Sequence, residues 1–124
     1  MPTPEQITET VNRYLDLAAN GGTDDIIELY ASDATVEDPV GSEVHIGRQA
    51  IHGFYANLEG MKRKSEMLSL RVNGNEAAYY WRLTVELGNG SGMQIEIISV
   101  MTFDDEAKIT SMKAYWNSDN VTNF

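Results

Sequence analysis

The sequence predicts an α+β fold in which three N-terminal helices pack inside a curved antiparallel sheet that forms a cone. Up to Gly60, apolar residues recur every three to four positions, which is typical of amphipathic helices, and after Gly60 they alternate with polar residues, which is typical of strands. Clusters of Gly, Asn and Asp separate the alternating segments and favour hairpin turns. The interior of such a cone is the expected pocket for an apolar ligand.

Three helices are predicted in the first half. Thr3 as N-cap, Pro4 at the first position and Gln6 completing a capping box start the first helix, which ends at Asn20-Gly21-Gly22. A short second helix starts at Thr23, and a third follows Gly47 and ends at Gly60. The inward faces of the three helices contain Ile7, Val11, Tyr14 and Ala18, then Ile26, Leu29 and Tyr30, and finally Ile51, Phe54, Tyr55 and Leu58.

Four strands are predicted after Gly60, at 64–72, 76–87, 93–103 and 108–116. On the third strand, Ser99 is the one polar residue of an otherwise apolar face, so its hydroxyl either bonds to its own backbone or donates into the cavity. The phenols of Tyr14, Tyr30 and Tyr55 are expected to form a buried hydrogen-bonded cluster or to serve only as core. A second group suits either a core or the wall of a pocket for a flat apolar ligand: Phe54, Met112 and Trp116.

Some apolar residues of the sheet are predicted to face outward. When these residues of the second and third strands are assigned to the outer face of the sheet, they form an apolar patch that favours self-association: Tyr79, Trp81 and Val100.

Asp38 ends a short alternating strand on its apolar face. In the segment from Ala34 to Asp38, the Asp38 side chain shares a face with Ala34 and Val36, because strand side chains alternate. Pro39 has no N–H and ends the strand, which leaves the carboxylate at the rim of the cavity. An isolated Asp-Pro pair most often only opens a turn, so other residues must support a functional role for Asp38.

Composition limits the function classes. The 124 residues fit one domain spanning 1–124, and without cysteine neither a disulfide framework nor a thiolate metal site is possible. The two histidines, His45 and His52, lack an acidic ligand cluster, so we expect no metal. A formal charge of −10 argues against nucleic-acid or membrane partners and favours a neutral small molecule. No signal peptide or long apolar run is recognisable, so we expect a soluble, cytoplasmic protein.

Several segments resemble the bacterial steroid Δ-isomerases, also called ketosteroid isomerases. The resemblance runs from about Thr3 to Trp116 and is most specific between Ala34 and Ser42, the block that contains Asp38. The segments that carry it are Thr3-Pro4-Glu5, Arg13-Tyr14, 29–43 (LYASDATVEDPVGSE), Phe54-Tyr55-Ala56-Asn57 and Asn75-Glu76-Ala77-Ala78. It implies a homodimer with the conical α+β fold that also occurs in scytalone dehydratases, polyketide cyclases and the nuclear transport factor.

The resemblance also implies an activity and the residues that carry it. Members convert 3-oxo-Δ5 steroids into 3-oxo-Δ4 steroids without a cofactor, and the family is itself a reference example of pKa tuning. Asp38 matches the general base and Tyr14 the oxyanion-hole phenol. Phe54 and Trp116 match residues that line the steroid slot, and Tyr30 and Tyr55 match phenols that orient Tyr14.

Ser99 departs from the family pattern, in which a protonated aspartic acid is the second oxyanion donor. Serine still donates, but it is a weaker acid with a shorter reach. Three enzymatic interpretations stay open: a steroid isomerase with one strong donor, an isomerase of a different ketone, and a cyclase-like relative. A non-catalytic small-molecule binder and a structural dimerisation domain of the same fold are the alternatives outside enzymology.

Overall fold

The computed structural model describes all 124 residues, as three helices, a seven-stranded sheet and one 3-10 turn. The elements in chain order are α1 (Pro4–Asn20), α2 (Thr23–Ile27), β1 (Tyr30–Glu37), β2 (His45–Ile46), α3 (Arg48–Ala56), β3 (Lys62–Asn73), β4 (Glu76–Glu86), β5 (Gly92–Phe103), β6 (Ile109–Tyr115), the 3-10 turn Ser118–Asn120, and β7 (Val121–Asn123). The predicted α+β class, with three helices in a curved sheet, is confirmed.

The sheet is open and mixed, and its strands follow the order β2-β1-β6-β5-β4-β3, with β7 paired to β5. The four predicted strands form a sequential antiparallel meander from β3 to β6. β1 pairs in parallel with β6. The prediction that the whole sheet is antiparallel is therefore wrong. A parallel pair requires a long connection, and here the connection includes α3 and the three strands β3 to β5.

The first helix forms as predicted. Thr3 and Gln6 make the reciprocal capping box, with Gln6 N donating to Thr3 Oγ1 at 3.1 Å and Thr3 N donating to Gln6 Oε1 at 2.8 Å. Tyr14 lies on the buried face of α1 and is 3% exposed. Tyr30 was expected on the second helix, but α2 already ends at Ile27, and Tyr30 is the first residue of β1, where it is fully buried.

The predicted outer patch is wrong for two of its three residues. Tyr79 and Trp81 are 2% and 4% exposed and lie inside the cone, where they pair in the β4–β5 register with Ser99 and Ile97. Tyr79, Tyr80 and Trp81 are consecutive aromatics, so the sequence of β4 does not determine which of these side chains point into the cone. A shift of one residue exchanges the inner and outer faces of the strand. The apolar residues exposed on β4, β5 and β6 include Tyr80, Ile98 and Tyr115. The homodimer stays a prediction.

The core lies between the concave face of the sheet and the helices. The inward residues of β4 and β5 and the buried faces of α1 and α3 form one continuous apolar cluster. Gly47 attaches the start of α3 to β1, because its N donates to Ala34 O at 2.9 Å. The φ of Gly47 is +86°, a backbone conformation that favours glycine. None of the helices combines the length and the apolar character that spanning a bilayer requires.

Candidate active site

The cavity inside the cone has two adjoining parts that share Asp38 and Phe54 in their walls. The wider part has a volume of about 260 Å³ and reaches Trp116, and the narrow part, of about 30 Å³, reaches Tyr14 and Tyr55. Leu58, Leu83 and Ile97 also border both parts. A mainly apolar wall with a few polar groups is typical of small-molecule sites.

Asp38 is the only carboxylate in the lining of this cavity. It directly follows β1, and Ala34 and Val36 on the same side of that strand are fully buried. The next segment is attached to β6, because Val40 N donates to Ala114 O at 2.8 Å. The predicted alternation therefore places the Asp38 side chain at the cavity wall.

The surroundings of Asp38 act on its pKa in opposite directions. Burial raises the pKa of Asp38 above its ordinary value, whereas the hydrogen bond from Trp116 and the nearby charge of His45 lower it. Trp116 Nε1 donates to Asp38 Oδ1 at 2.7 Å. Burial is the largest of these effects, so the Asp38 carboxylate is a stronger base than a solvated aspartate.

Three buried phenols form a hydrogen-bonded chain that ends at the cavity. The hydroxyl of Tyr55 lies 2.6 Å from that of Tyr30 and 2.9 Å from that of Tyr14. When Tyr30 donates to Tyr55 and Tyr55 donates to Tyr14, the hydrogen of Tyr14 is free for a ligand. Burial raises the pKa of Tyr14 well above its ordinary value, and the neighbouring Tyr30 and Asp38 raise it further, so this phenol stays protonated at neutral pH.

Ser99 lies behind the cavity wall. It is 1% exposed and borders neither part of the cavity, and its Oγ accepts a hydrogen bond from Trp81 Nε1 at 3.0 Å. Trp81 itself lines the narrow part, and its ring meets that of Tyr14 edge-on, with centroids 6.2 Å apart. Sequence reasoning missed Trp81, because it assigned this residue to the outer face of β4.

The structure thus divides the predicted site residues into two groups. Those that border the cavity are Tyr14, Asp38, Phe54, Tyr55 and Trp116. Tyr30, Ser99 and Met112 are fully or almost fully buried and lie outside its lining. No three acidic or histidine side chains lie close enough together to hold a metal ion. The roles of both groups stay predictions.

Comparison with known proteins places the chain in a family. Residues 11–112 match the model of the SnoaL-like domain. A steroid Delta-isomerase of Nocardioides simplex is 44% identical over 111 residues, which cover 90% of this chain and 89% of that protein. The solved structure of SalBIII, an epoxide hydrolase/cyclase-like enzyme with a role in pyran ring formation in the polyether salinomycin, superposes with a TM-score of 0.91. It is 26% identical, and the match covers 100% of both chains. On this sequence similarity and this fold, the chain belongs to the steroid Delta-isomerase family within the SnoaL-like domains.

Proposed function

We propose that the protein is a cofactor-independent steroid Δ-isomerase that converts a 3-oxo-Δ5 steroid into its conjugated 3-oxo-Δ4 isomer. The single observation that carries the proposal is that Asp38 and Tyr14, a half-buried base and a buried proton donor, border the same apolar cavity. The identity to a steroid Delta-isomerase supports the same reaction class.

The reaction begins with removal of a proton from C4 by Asp38. A proton beside a ketone is weakly acidic, so the base must be desolvated and correctly placed. Trp116 holds one carboxylate oxygen of Asp38 and leaves the other free to take the proton. The same carboxyl then returns this proton to C6, so atoms and charge balance over the cycle without another reactant.

The negative charge that develops on the C3 oxygen requires a donor already in place. The Tyr14 hydroxyl meets this requirement, because burial keeps it protonated and its hydrogen is free for the substrate when Tyr55 donates to it. One preorganised donor of this kind contributes about 3–4 kcal/mol in comparable oxyanion holes. Ser99 supports the hole by holding the indole of Trp81, which lies against the Tyr14 ring.

The cavity favours this reaction over the two main alternatives. A cyclisation requires an acid and a base at separate points of the substrate, whereas a single carboxylate in the lining suits a proton that returns to the same molecule. A passive carrier of apolar molecules gains nothing from a partly desolvated carboxylate in its wall, because burial of a charge is unfavourable.

The test is the ultraviolet absorbance of the conjugated enone when purified protein is mixed with 5-androstene-3,17-dione. We expect absorbance to increase with a rate proportional to protein concentration, and the Asp38→Asn protein prepared in parallel should be nearly inactive. A flat trace at high protein concentration, together with tight steroid binding, would instead identify a carrier.

A further inference from the structure

His45 lies beside the base, on the edge strand β2. In the β1–β2 ladder it is directly opposite Val36, and opposite residues of an antiparallel pair share a face. Asp38 lies two residues beyond Val36 on that same face, so the side chains of His45 and Asp38 are diagonal neighbours, about 7 Å apart at their Cβ atoms. No step of the proposed reaction uses His45.

Phe54 connects His45 to the cavity. The rings of His45 and Phe54 pack with their centroids 5.0 Å apart and their planes at 39°. Phe54 borders both parts of the cavity, as Asp38 does. His45 itself borders neither part, so any effect that it has on the reaction passes through these neighbours and not through contact with the substrate.

The imidazole of His45 is free to gain and lose a proton. It is half-buried and has no hydrogen-bond or ion-pair partner in the chain, and water reaches its ring nitrogens, because no enclosed side-chain nitrogen lacks a partner. The other histidine differs, since Nε2 of His52 lies 2.9 Å from Asp24 Oδ1 at the surface. Histidine is the side chain that ordinarily changes its charge between about pH 8 and pH 5.

The other ionisable groups around Asp38 keep one charge over this pH range. Burial raises the pKa values of Tyr14, Tyr30 and Tyr79, so these phenols stay neutral. Arg63 lines the narrow part of the cavity, and a guanidinium is always charged. A change of charge beside Asp38 in mildly acidic solution therefore has to come from a histidine.

The charged side chains of β1 and α3, the elements that pack against His45, are directed elsewhere. Arg48 of α3 donates to a backbone carbonyl through its guanidinium. Glu37 lies on the opposite face of β1 and accepts a backbone N–H, and Asp33 is exposed. Asp38 is therefore the carboxylate that His45 faces.

A cation beside Asp38 changes the pH at which the base is ionised. Burial raises the pKa of Asp38, whereas the hydrogen bond from Trp116 and the charge of His45 lower it. When the pH falls and the imidazole gains a proton, the new positive charge stabilises the carboxylate. This happens in the range where a buried carboxylate would otherwise take up a proton and stop acting as a base.

We propose that His45 is a positioning residue whose imidazolium keeps the Asp38 carboxylate ionised in mildly acidic solution, so that isomerisation continues at a lower pH than the buried base alone would allow. The proposal rests on the proposed isomerase function, in which Asp38 removes the C4 proton. The cation also makes the carboxylate a weaker base, so the benefit is confined to the acid side, where the gain in ionised base exceeds the loss of basicity.

The test is the ratio of kcat/KM of His45→Gln to that of the wild-type protein, measured on 5-androstene-3,17-dione between about pH 5 and pH 8. Glutamine carries no charge, so we expect the ratio to be level near the upper end and to fall by about two- to fivefold at the lower end. Loss of packing against Phe54 alone would lower the ratio equally at every pH. A ratio that is independent of pH, or that increases toward acid pH, would overturn the proposal.

Two further variants separate charge from shape. His45→Lys removes the imidazole ring but keeps a cation, so its ratio to the wild-type protein should not fall toward acid pH. His52→Gln is the matched control, because His52 faces Asp24 at the surface, and its ratio should be independent of pH. A fall in either variant as large as that in His45→Gln would show that the charge at position 45 is not the cause.

A titration of Asp38 itself keeps the proposal independent of the isomerase activity. The probe is the NMR signal of the Asp38 carboxyl carbon, assigned by its absence in Asp38→Asn. We expect the midpoint of this titration to lie about 0.5–1 pH unit higher in His45→Gln than in the wild-type protein. In the wild-type protein, added salt should raise the midpoint, because it screens the imidazolium.

The two measurements fail in different ways. Equal midpoints in His45→Gln and the wild-type protein would overturn the proposal even if the protein isomerises the steroid. A higher midpoint in His45→Gln, in a protein without isomerase activity, would retain the coupling between His45 and Asp38 and contradict the proposed function.

Discussion

The indole Nε1 of Trp116 donates a hydrogen bond of 2.7 Å to Oδ1 of Asp38. This contact joins the end of β6 to the segment that follows β1, and it determines which carboxylate oxygen faces the cavity unpartnered. It also lowers the pKa of Asp38, against the larger opposite effect of burial. The hydrogen bond thus orients the base and offsets part, but not all, of the increase in basicity that burial causes.

Replacement of Trp116 by Phe should raise the pKa of Asp38. The Phe ring preserves an aromatic wall but removes the hydrogen bond that stabilises the ionised carboxylate. We expect the acid limb of the pH profile of kcat/KM to move to higher pH, which is measured by steady-state rates across the acid range. Tyr115→Phe, at an outward-facing neighbour, is the control and should leave the profile in place. A limb that moves to lower pH would contradict the geometry.

Replacement of Tyr14 by Phe should lower kcat by about two to three orders of magnitude, the effect expected for one oxyanion donor. Tyr55→Phe is the matched control, since Tyr55 supports Tyr14 through a 2.9 Å hydrogen bond, and its loss should cost no more than about tenfold. Both are measured with saturating steroid. If Tyr14→Phe changes kcat less than threefold, Tyr14 only packs.

Replacement of Ser99 by Ala should affect stability more than catalysis. The change leaves the buried N–H of Trp81 without an acceptor, which costs about 1–3 kcal/mol in the free energy of unfolding. Because Ser99 does not border the cavity, we expect kcat to fall less than tenfold. Denaturant midpoints and kcat are measured on the same preparations. A large fall in kcat with unchanged stability would mean that Ser99 itself contacts the substrate oxygen.

Replacement of Asp38 by Asn should stabilise the protein near neutral pH. The pKa of Asp38 is raised in the folded state, so the folded state favours the protonated carboxyl, and stability is lost as the pH increases through the folded pKa. Asn carries no charge and avoids this loss. The gain in free energy of unfolding should be present at about pH 7 and should vanish below the unfolded pKa of about 3.9. Urea unfolding at the two pH values measures it, and an Asn variant that is less stable at neutral pH would contradict the prediction.

Local patterns predicted the parts of the site that depend on one element. The period of α1 placed Tyr14 inward, and the alternation before Pro39 placed Asp38 at the cavity. The phase of β4 was predicted wrongly, because aromatics at 79, 80 and 81 satisfy either face, and only pairing with β5 decides between them. The contacts that tune the site join residues 78 and 18 positions apart, so no local pattern contains them.

The central claim is that Asp38 transfers the proton, and the most direct measurement is kcat of Asp38→Asn on 5-androstene-3,17-dione, with steroid affinity determined separately by tryptophan quenching. Asn is nearly isosteric and still accepts the hydrogen bond from Trp116, but it cannot take the C4 proton. We predict that kcat falls by about 10²–10⁴-fold while the steroid dissociation constant changes little. Wild-type kcat in the Asn variant, with the fold intact, would contradict the account and place the base elsewhere.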